Sequence, residues 1–290
     1  MDDRLRVGVS FPPAWAPEAF RGFVAAVESS GLDDLWISED CFNESAIASA
    51  VTALATTERI RVGAAILPVP LRNVTQAAME IATIDRLYPG RFVAGIGHGV
   101  QPWMEQAGVR ADAPLTLLSE YATALRQLLN GETVTTQGRY VQLTDVTLAH
   151  PPTQPPPLLI GVAGPKSLAA AGELGTGTLL ALGLDTDAIK QATEATLQKA
   201  AKDHEVIASI PVATGPNARA RVDAELAEYG MKGSPKIGAV GNAEEIAERL
   251  KEVQAAGATT ISVQPCRDEP DFDAFAHFLG QEVKPLLQMN

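Results

Sequence analysis

Two adjacent carboxylates, Glu39 and Asp40, follow the apolar run Leu35-Trp36-Ile37. A carboxyl at the end of a strand can serve as acid or base when burial or a neighbouring like charge lifts its pKa. The alternative is a solvated loop in which Asp40 or Asn43 caps the next helix. Farther along, His98 lies between glycines in Gly95-Ile96-Gly97-His98-Gly99-Val100. Glycines free the backbone to approach a ligand and expose the imidazole, which exchanges protons near neutral pH. The other histidines, His150, His204 and His277, have less suggestive neighbours, so His98 is read as the ligand-contacting one. Trp103 and Met104 follow closely enough to form an apolar wall.

Two further segments could hold a ligand. Ile160-Gly161-Val162-Ala163-Gly164-Pro165-Lys166-Ser167 runs from a strand through glycine into a helix. Free amides at a helix N-terminus bind anions, and Lys166 adds positive charge, so this turn reads as a phosphate site. A plain tight turn is the alternative. Val62-Gly63-Ala64-Ala65-Ile66-Leu67-Pro68 places small residues at a strand end, where backbone could approach a flat ligand. A tightly packed interior would explain the same residues.

Composition limits what these groups could serve. The chain has 290 residues, is 46% hydrophobic and carries a formal net charge of -12. A duplex-DNA binder would present a basic face, so nucleic acid is not an expected partner. No apolar run is long enough to span a bilayer, and Met1-Asp2-Asp3-Arg4 does not begin a signal peptide; a cytoplasmic protein is expected. Cys41 and Cys266 lack metal-ligand spacing, so no metal site is expected and two free thiols are the simpler reading. The acidity also sets a problem for an anionic cofactor, which backbone amides at Gly164-Pro165-Lys166 would solve without a basic surface.

The elements that must position these residues alternate regularly. Strand-like runs occupy 5–11, 35–37, 60–66, 91–96, 158–163, 178–182, 206–213 and 259–263. Helical periodicity fills 17–30, 45–57, 73–87, 115–129, 166–174, 186–202, 217–229, 243–256 and 272–287. Residues 132–148 alternate around Gln137-Gly138, which predicts a small inserted β-hairpin. Five prolines between Pro151 and Pro157 predict a stiff connector within one domain spanning 1–290. Eight strands in βα order predict an α/β fold, a (β/α)8 TIM barrel with reactive residues at strand C-terminal ends. An open doubly wound sheet would carry a glycine-rich turn after the first strand, but that turn is Phe11-Pro12-Pro13-Ala14-Trp15.

Taken in order, several segments resemble the luciferase-like monooxygenase superfamily, most closely its branch that uses the deazaflavin coenzyme F420, typified by methylenetetrahydromethanopterin reductase. They are Gly31-Leu32-Asp33-Asp34-Leu35-Trp36-Ile37-Ser38, Arg61-Val62-Gly63, Tyr88-Pro89-Gly90-Arg91-Phe92 leading to Gly95-Ile96-Gly97, and Ile160 through Lys166. The last is Val240 through Leu250, which runs on to Ala256-Gly257-Ala258. The resemblance implies a flavin or deazaflavin ring in the barrel mouth, against Ala65, Ile66, Gly97, His98, Gly99, Val162 and Ala163. It implies the cofactor phosphate at Gly164-Pro165-Lys166, a non-proline cis peptide at Ala65–Ile66, and a homodimer packed through helices 45–57 and 73–87. One departure stands out: many members carry Asp-His where this chain has Glu39-Asp40. The leading reading is an F420-dependent oxidoreductase acting on a small organic substrate, with His98 or Glu39 as the acid and Asp40 as orienter. An FMN-dependent monooxygenase and a non-catalytic flavin-binding barrel are the alternatives.

Overall fold

The computed structural model describes residues 4–288. Met1–Asp3, on which the signal-peptide argument rests, and Met289–Asn290 lie outside the described residues. The first half runs β1 (Arg6–Ser10), α1 (Phe20–Ser30), β2 (Asp34–Ile37), α2 (Ala46–Ala55), β3 (Arg61–Pro68), α3 (Val74–Leu87), β4 (Phe92–Gly97), α4 (Gln101–Gln106) and α5 (Pro114–Leu129). Strands β5 (Val134–Gln137) and β6 (Gln142–Val146) form the antiparallel hairpin. The second half runs β7 (Leu158–Val162), α6 (Pro165–Leu174), β8 (Gly177–Leu180), α7 (Thr186–Leu197), β9 (Glu205–Ala213), α8 (Ala218–Glu228), β10 (Ala239–Val240), α9 (Ala243–Ala255) and β11 (Thr260–Pro265). The closing helix begins as α10 (Phe272–His277), passes through a π-helical stretch at Phe278–Val283, and ends as α11 (Lys284–Gln288).

Eight strands close a parallel barrel in the order β9-β11-β1-β2-β3-β4-β7-β8, with β8 pairing back to β9. The (β/α)8 expectation is therefore met, and so is the hairpin. The proline-rich connector feeds directly into β7: Ala94 N–H donates to the Pro157 carbonyl at 3.0 Å. Helix starts follow local chemistry, since Ser45, Asn73, Asp185 and Asn242 each accept a backbone N–H of the helix they precede. Neither Asp40 nor Asn43 caps α2; Ser45 does. Among the described residues, no helix is long and apolar enough to cross a membrane.

Trp36, Val93, Leu159, Leu179 and Ile207 fill the barrel interior, with Ala65 and Ile66 packed above them. Gly63 exists to admit the Trp36 ring, which a Cβ there would overlap. Below this plug the N-terminal face is tied by ions. Asp34 is fully buried and accepts from Arg6 and Arg61, and Arg61 reaches on to Glu205 at 2.6 Å. Burial opposes ionisation of Asp34, but the Arg61 and Arg6 guanidiniums outweigh it and hold the carboxyl below its usual range. Asp33 pairs with Lys284 at 2.7 Å, which locks the closing helix to the start of β2.

Between β9 and β11 both helices read from the sequence occur, and the short strand β10 between them was not foreseen. The returning barrel helix is α9. Helix α8 instead packs in a separate apolar cluster of Ala213, Ala218, Val222, Leu226 and Cys266, at the C-terminal end of β9. The two-residue strand β10 pairs with Val212 and Ala213 at that same end.

Candidate active site

The C-terminal strand ends surround a cavity of about 320 Å³. Its floor is built by β3. The β3–β4 register shifts between Ala64 and Leu67, and the peptide bond between Ala65 and Ile66 is cis, at the position the resemblance implied. A second cis bond, Cys41–Phe42, was not foreseen. The bulge turns Ile66 over Gly97 and Gly161. A Cβ on Gly97 would come within 2.7 Å of Ile66 Cδ1, and one on Gly161 would overlap Ile66 Cγ2. These glycines are thus spaces for the Ile66 side chain.

Ala65, Ile66, His98, Gly99, Val162 and Ala163 all line the cavity. Gly97 does not; it lies behind Ile66. Gly164, Pro165 and Lys166 also lie outside the lining and stand exposed at the rim beside Ala163. Gly164 has φ +89°, and α6 starts there without a side-chain cap. The amides of its first turn therefore remain available at the mouth.

His98 is the only one of the four histidines on the cavity wall. Its Nδ1 lies 2.9 Å from the Gly99 carbonyl. A carbonyl only accepts, so Nδ1 carries the hydrogen, and Nε2 is left without a protein partner among the described residues. Gln101 braces this loop by donating to the His98 and Gly99 carbonyls. Gly99 has φ +71° and sits on Met104 and Pro68, while Trp103 reaches the cavity. The apolar wall expected from Trp103 and Met104 is thus made by Trp103, with Met104 buried beneath. His204 is structural, bonded to Thr178 at 2.8 Å.

The two carboxylates have different fates. Glu39 accepts two bonds from Arg72, at 2.7 and 3.1 Å, and one from the Ala46 N–H at 3.0 Å. Both its oxygens are committed, which suits a residue that anchors α2 and the loop after β3 rather than one that exchanges protons. Asp40 makes no side-chain hydrogen bond or ion pair among the described residues. Burial without a compensating partner pushes its carboxyl up to about 6. It can hold or release a proton at physiological pH.

Three further residues escaped the sequence reading. Ser38 Oγ is buried at the cavity wall without a partner. Gln264, at the end of β11, would have been found by applying the strand-end rule one residue farther. Tyr229, just after α8, had no local signal, because a returning barrel helix would have carried it to the opposite face. Burial first, then the charge of Asp40, pushes the Tyr229 phenol up to about 12. No cluster of three or more metal-ligating side chains occurs among the described residues.

Comparison with known proteins agrees with this architecture. A family model described as luciferase-like monooxygenase matches residues 6–235. The 5,10-methylenetetrahydromethanopterin reductase of Archaeoglobus fulgidus is 30% identical over 213 residues, covering 72% of this chain and 64% of that protein. An F420-dependent glucose-6-phosphate dehydrogenase of Kineococcus radiotolerans is 32% identical over 187 residues, covering 60% of this chain and 55% of the relative. The matches thus take in between about half and two thirds of the curated relatives' length. The structure of the coenzyme F420-dependent tetrahydromethanopterin reductase from Methanopyrus kandleri superposes with a TM-score of 0.86 at 20% identity, covering 97% of this chain and 99% of that one. At that identity the superposition shows the shared fold. With the family match over most of its length, the chain belongs to the luciferase-like monooxygenase family.

Proposed function

We propose that this protein is an F420-dependent oxidoreductase that moves a hydride between the deazaflavin and a small organic substrate in the barrel mouth. The observation that carries this reading is the cavity lining of Ala65, Ile66, Gly99, Val162 and Ala163, which continues in sequence to the uncapped N-terminus of α6. These small and apolar residues would let a ring lie against the strand ends, and the cofactor phosphate would meet the first-turn amides and Lys166. Ser38 Oγ, buried and unpartnered, would bond a polar ring edge. A bound deazaflavin supplies a ring carbon that accepts or gives up hydride. The protein's part is to hold substrate against that face in a largely apolar cavity and to move the accompanying proton. His98 Nε2 and the Asp40 carboxyl are the groups placed for it, and Glu39 keeps Asp40's loop in position through Arg72.

The F420 in the name of the Kineococcus radiotolerans relative supports a deazaflavin over FMN. Titration of the purified protein with F420 and with FMN tests the reading. Tight F420 binding is expected, weakened by Lys166→Glu. Tight FMN binding with no F420 binding, or aerobic turnover with reduced FMN, would overturn it in favour of a monooxygenase.

The whole chain is read as one domain, and the free thiols Cys41 and Cys266 fit a cytoplasmic setting. A homodimer through α2 and α3 is supported by exposed apolar side chains there. Val51 in α2 is 38% exposed and Met79 in α3 55%, and Phe42, in the loop before α2, is 66% exposed. Light scattering after size exclusion should give twice the chain mass; a monomer at micromolar concentration refutes the dimer.

A further inference from the structure

A second cavity, of about 520 Å³, lies among the outer elements, between the start of α3, α5, the hairpin and the loop 109–111. No residue lines both this cavity and the one at the strand ends. Its volume is that of a small-molecule site. Its walls are fixed by hydrogen bonds. Glu120 of α5 accepts the N–H groups of Arg139, Tyr140 and Val141 at 3.0, 2.8 and 3.0 Å, which holds the hairpin tip on that helix. The Tyr140 hydroxyl accepts the Ala113 N–H at 2.8 Å, which ties the hairpin to the start of α5. Val74, Leu117, Val141 and Leu143 supply apolar lining.

The charged and polar groups on this wall are all of one kind. Arg72 and Arg110 line the cavity and no carboxylate does, in a chain of net charge -12. Arg72 gives its two Nη atoms to Glu39, while its Nε faces Glu80 at 3.4 Å without a hydrogen bond. Arg110 pairs with Glu105 at 3.0 Å, but both side chains are more than half exposed, so water screens the pair and a ligand can displace it. Asn73 and Val74 bring the positive end of α3 to the same wall. Tyr121 is the residue that points to an occupant. It is 2% exposed, it lines the cavity, and its hydroxyl makes no hydrogen bond among the described residues. Burial, opposed by Arg72 and assisted by Glu80, pushes the phenol above its ordinary range, so the hydroxyl keeps a hydrogen to donate. A buried donor left unpaired costs stability that a ligand oxygen would restore.

We propose that this cavity is a second binding site, for a small apolar organic acid. Its carboxylate accepts from the Tyr121 hydroxyl and is attracted by Arg72 and Arg110, and its body packs on Val74, Leu117, Val141 and Leu143. The site does not depend on which cofactor the strand-end cavity takes.

The test is calorimetric titration of the full chain, without F420, with 2-naphthoate and 2-naphthamide, which share a ring system and differ in charge. Naphthoate should bind about tenfold more tightly than the amide, and Arg110→Glu should erase that preference. Tyr121→Phe should weaken naphthoate about tenfold, the worth of a hydrogen bond to a charged group. Its unfolding midpoint should stay level or rise, because the deleted hydroxyl has no protein partner to lose. Tyr229→Phe, in the strand-end cavity, should leave naphthoate affinity unchanged. Equal binding of the two probes, no binding of either, or wild-type affinity in Tyr121→Phe would overturn the proposal. So would a loss of affinity in Tyr229→Phe, which would place the acid at the strand ends, or a less stable Tyr121→Phe, which would mean that the hydroxyl is already paired within the protein.

Discussion

Asp40→Asn separates catalysis from stability at one atom. The Asp40 carboxyl moves from 3.8 to about 6 because burial removes water and no cation replaces it. That is a shift of about two units, worth about 3 kcal/mol at about 1.4 kcal/mol per unit. Water at the open mouth screens part of it, leaving about 2–3 kcal/mol. The sign follows from proton linkage. Between pH 4 and 6 the folded protein holds a proton on Asp40 that the unfolded chain has lost. Stability from this group is full below about 3.8 and declines as pH rises through about 6. Asparagine keeps the shape and removes the titration. Urea unfolding at pH 4.5 and 7.5 should show the variant gaining about 2 kcal/mol on wild type between those two pH values, with equal m-values. Turnover should fall by about 10²–10⁴-fold, as for loss of a proton-transfer group. A stability difference that is independent of pH, or a variant less stable at pH 7.5 than at 4.5 relative to wild type, would refute the argument that Asp40 is an unpaired buried acid.

Other perturbations address the groups around it. Arg72→Met strands Glu39 and should cost about 3–5 kcal/mol in chemical unfolding; Arg72→Met with Glu39→Gln should recover at least half, and equal losses would contradict the pairing. Asp34→Asn should cost a similar amount at pH 7 while leaving F420 affinity within twofold, because the ion network lies at the far end of the barrel from the mouth. The Asp34 carboxyl is held low, so its contribution is present above the usual carboxylate pKa and lost as pH falls through the folded value; the deficit should shrink in acid. Gly161→Ala pushes Ile66 off its seat and should cost about 1–3 kcal/mol and weaken F420 at least tenfold by fluorescence titration; unchanged affinity would remove Ile66 from the ring wall.

Much of this was legible in the residues alone. The switch between strand and helix periodicity gave the barrel, since each strand must bury both faces and each helix one. Ordered motifs gave the family, and His98 stood out because glycines on both sides leave a side chain little to do but face a ligand. What local spacing could not carry was the fate of each charge. Glu39 and Asp40 are neighbours of the same chemistry, yet Arg72, 33 residues away, reaches Glu39 only because adjacent strands bring their loops together. That contact makes Glu39 an anchor and leaves Asp40 as the titrating group. Tyr229 reaches the mouth because α8 packs in its own small cluster at the C-terminal end of β9, a choice made by tertiary burial and invisible in helical periodicity. The sequence by itself therefore determined the scaffold, whose rules are periodic and local. Barrel closure decided which ionisable groups are paired and which remain free for chemistry, because that depends on partners distant in the chain.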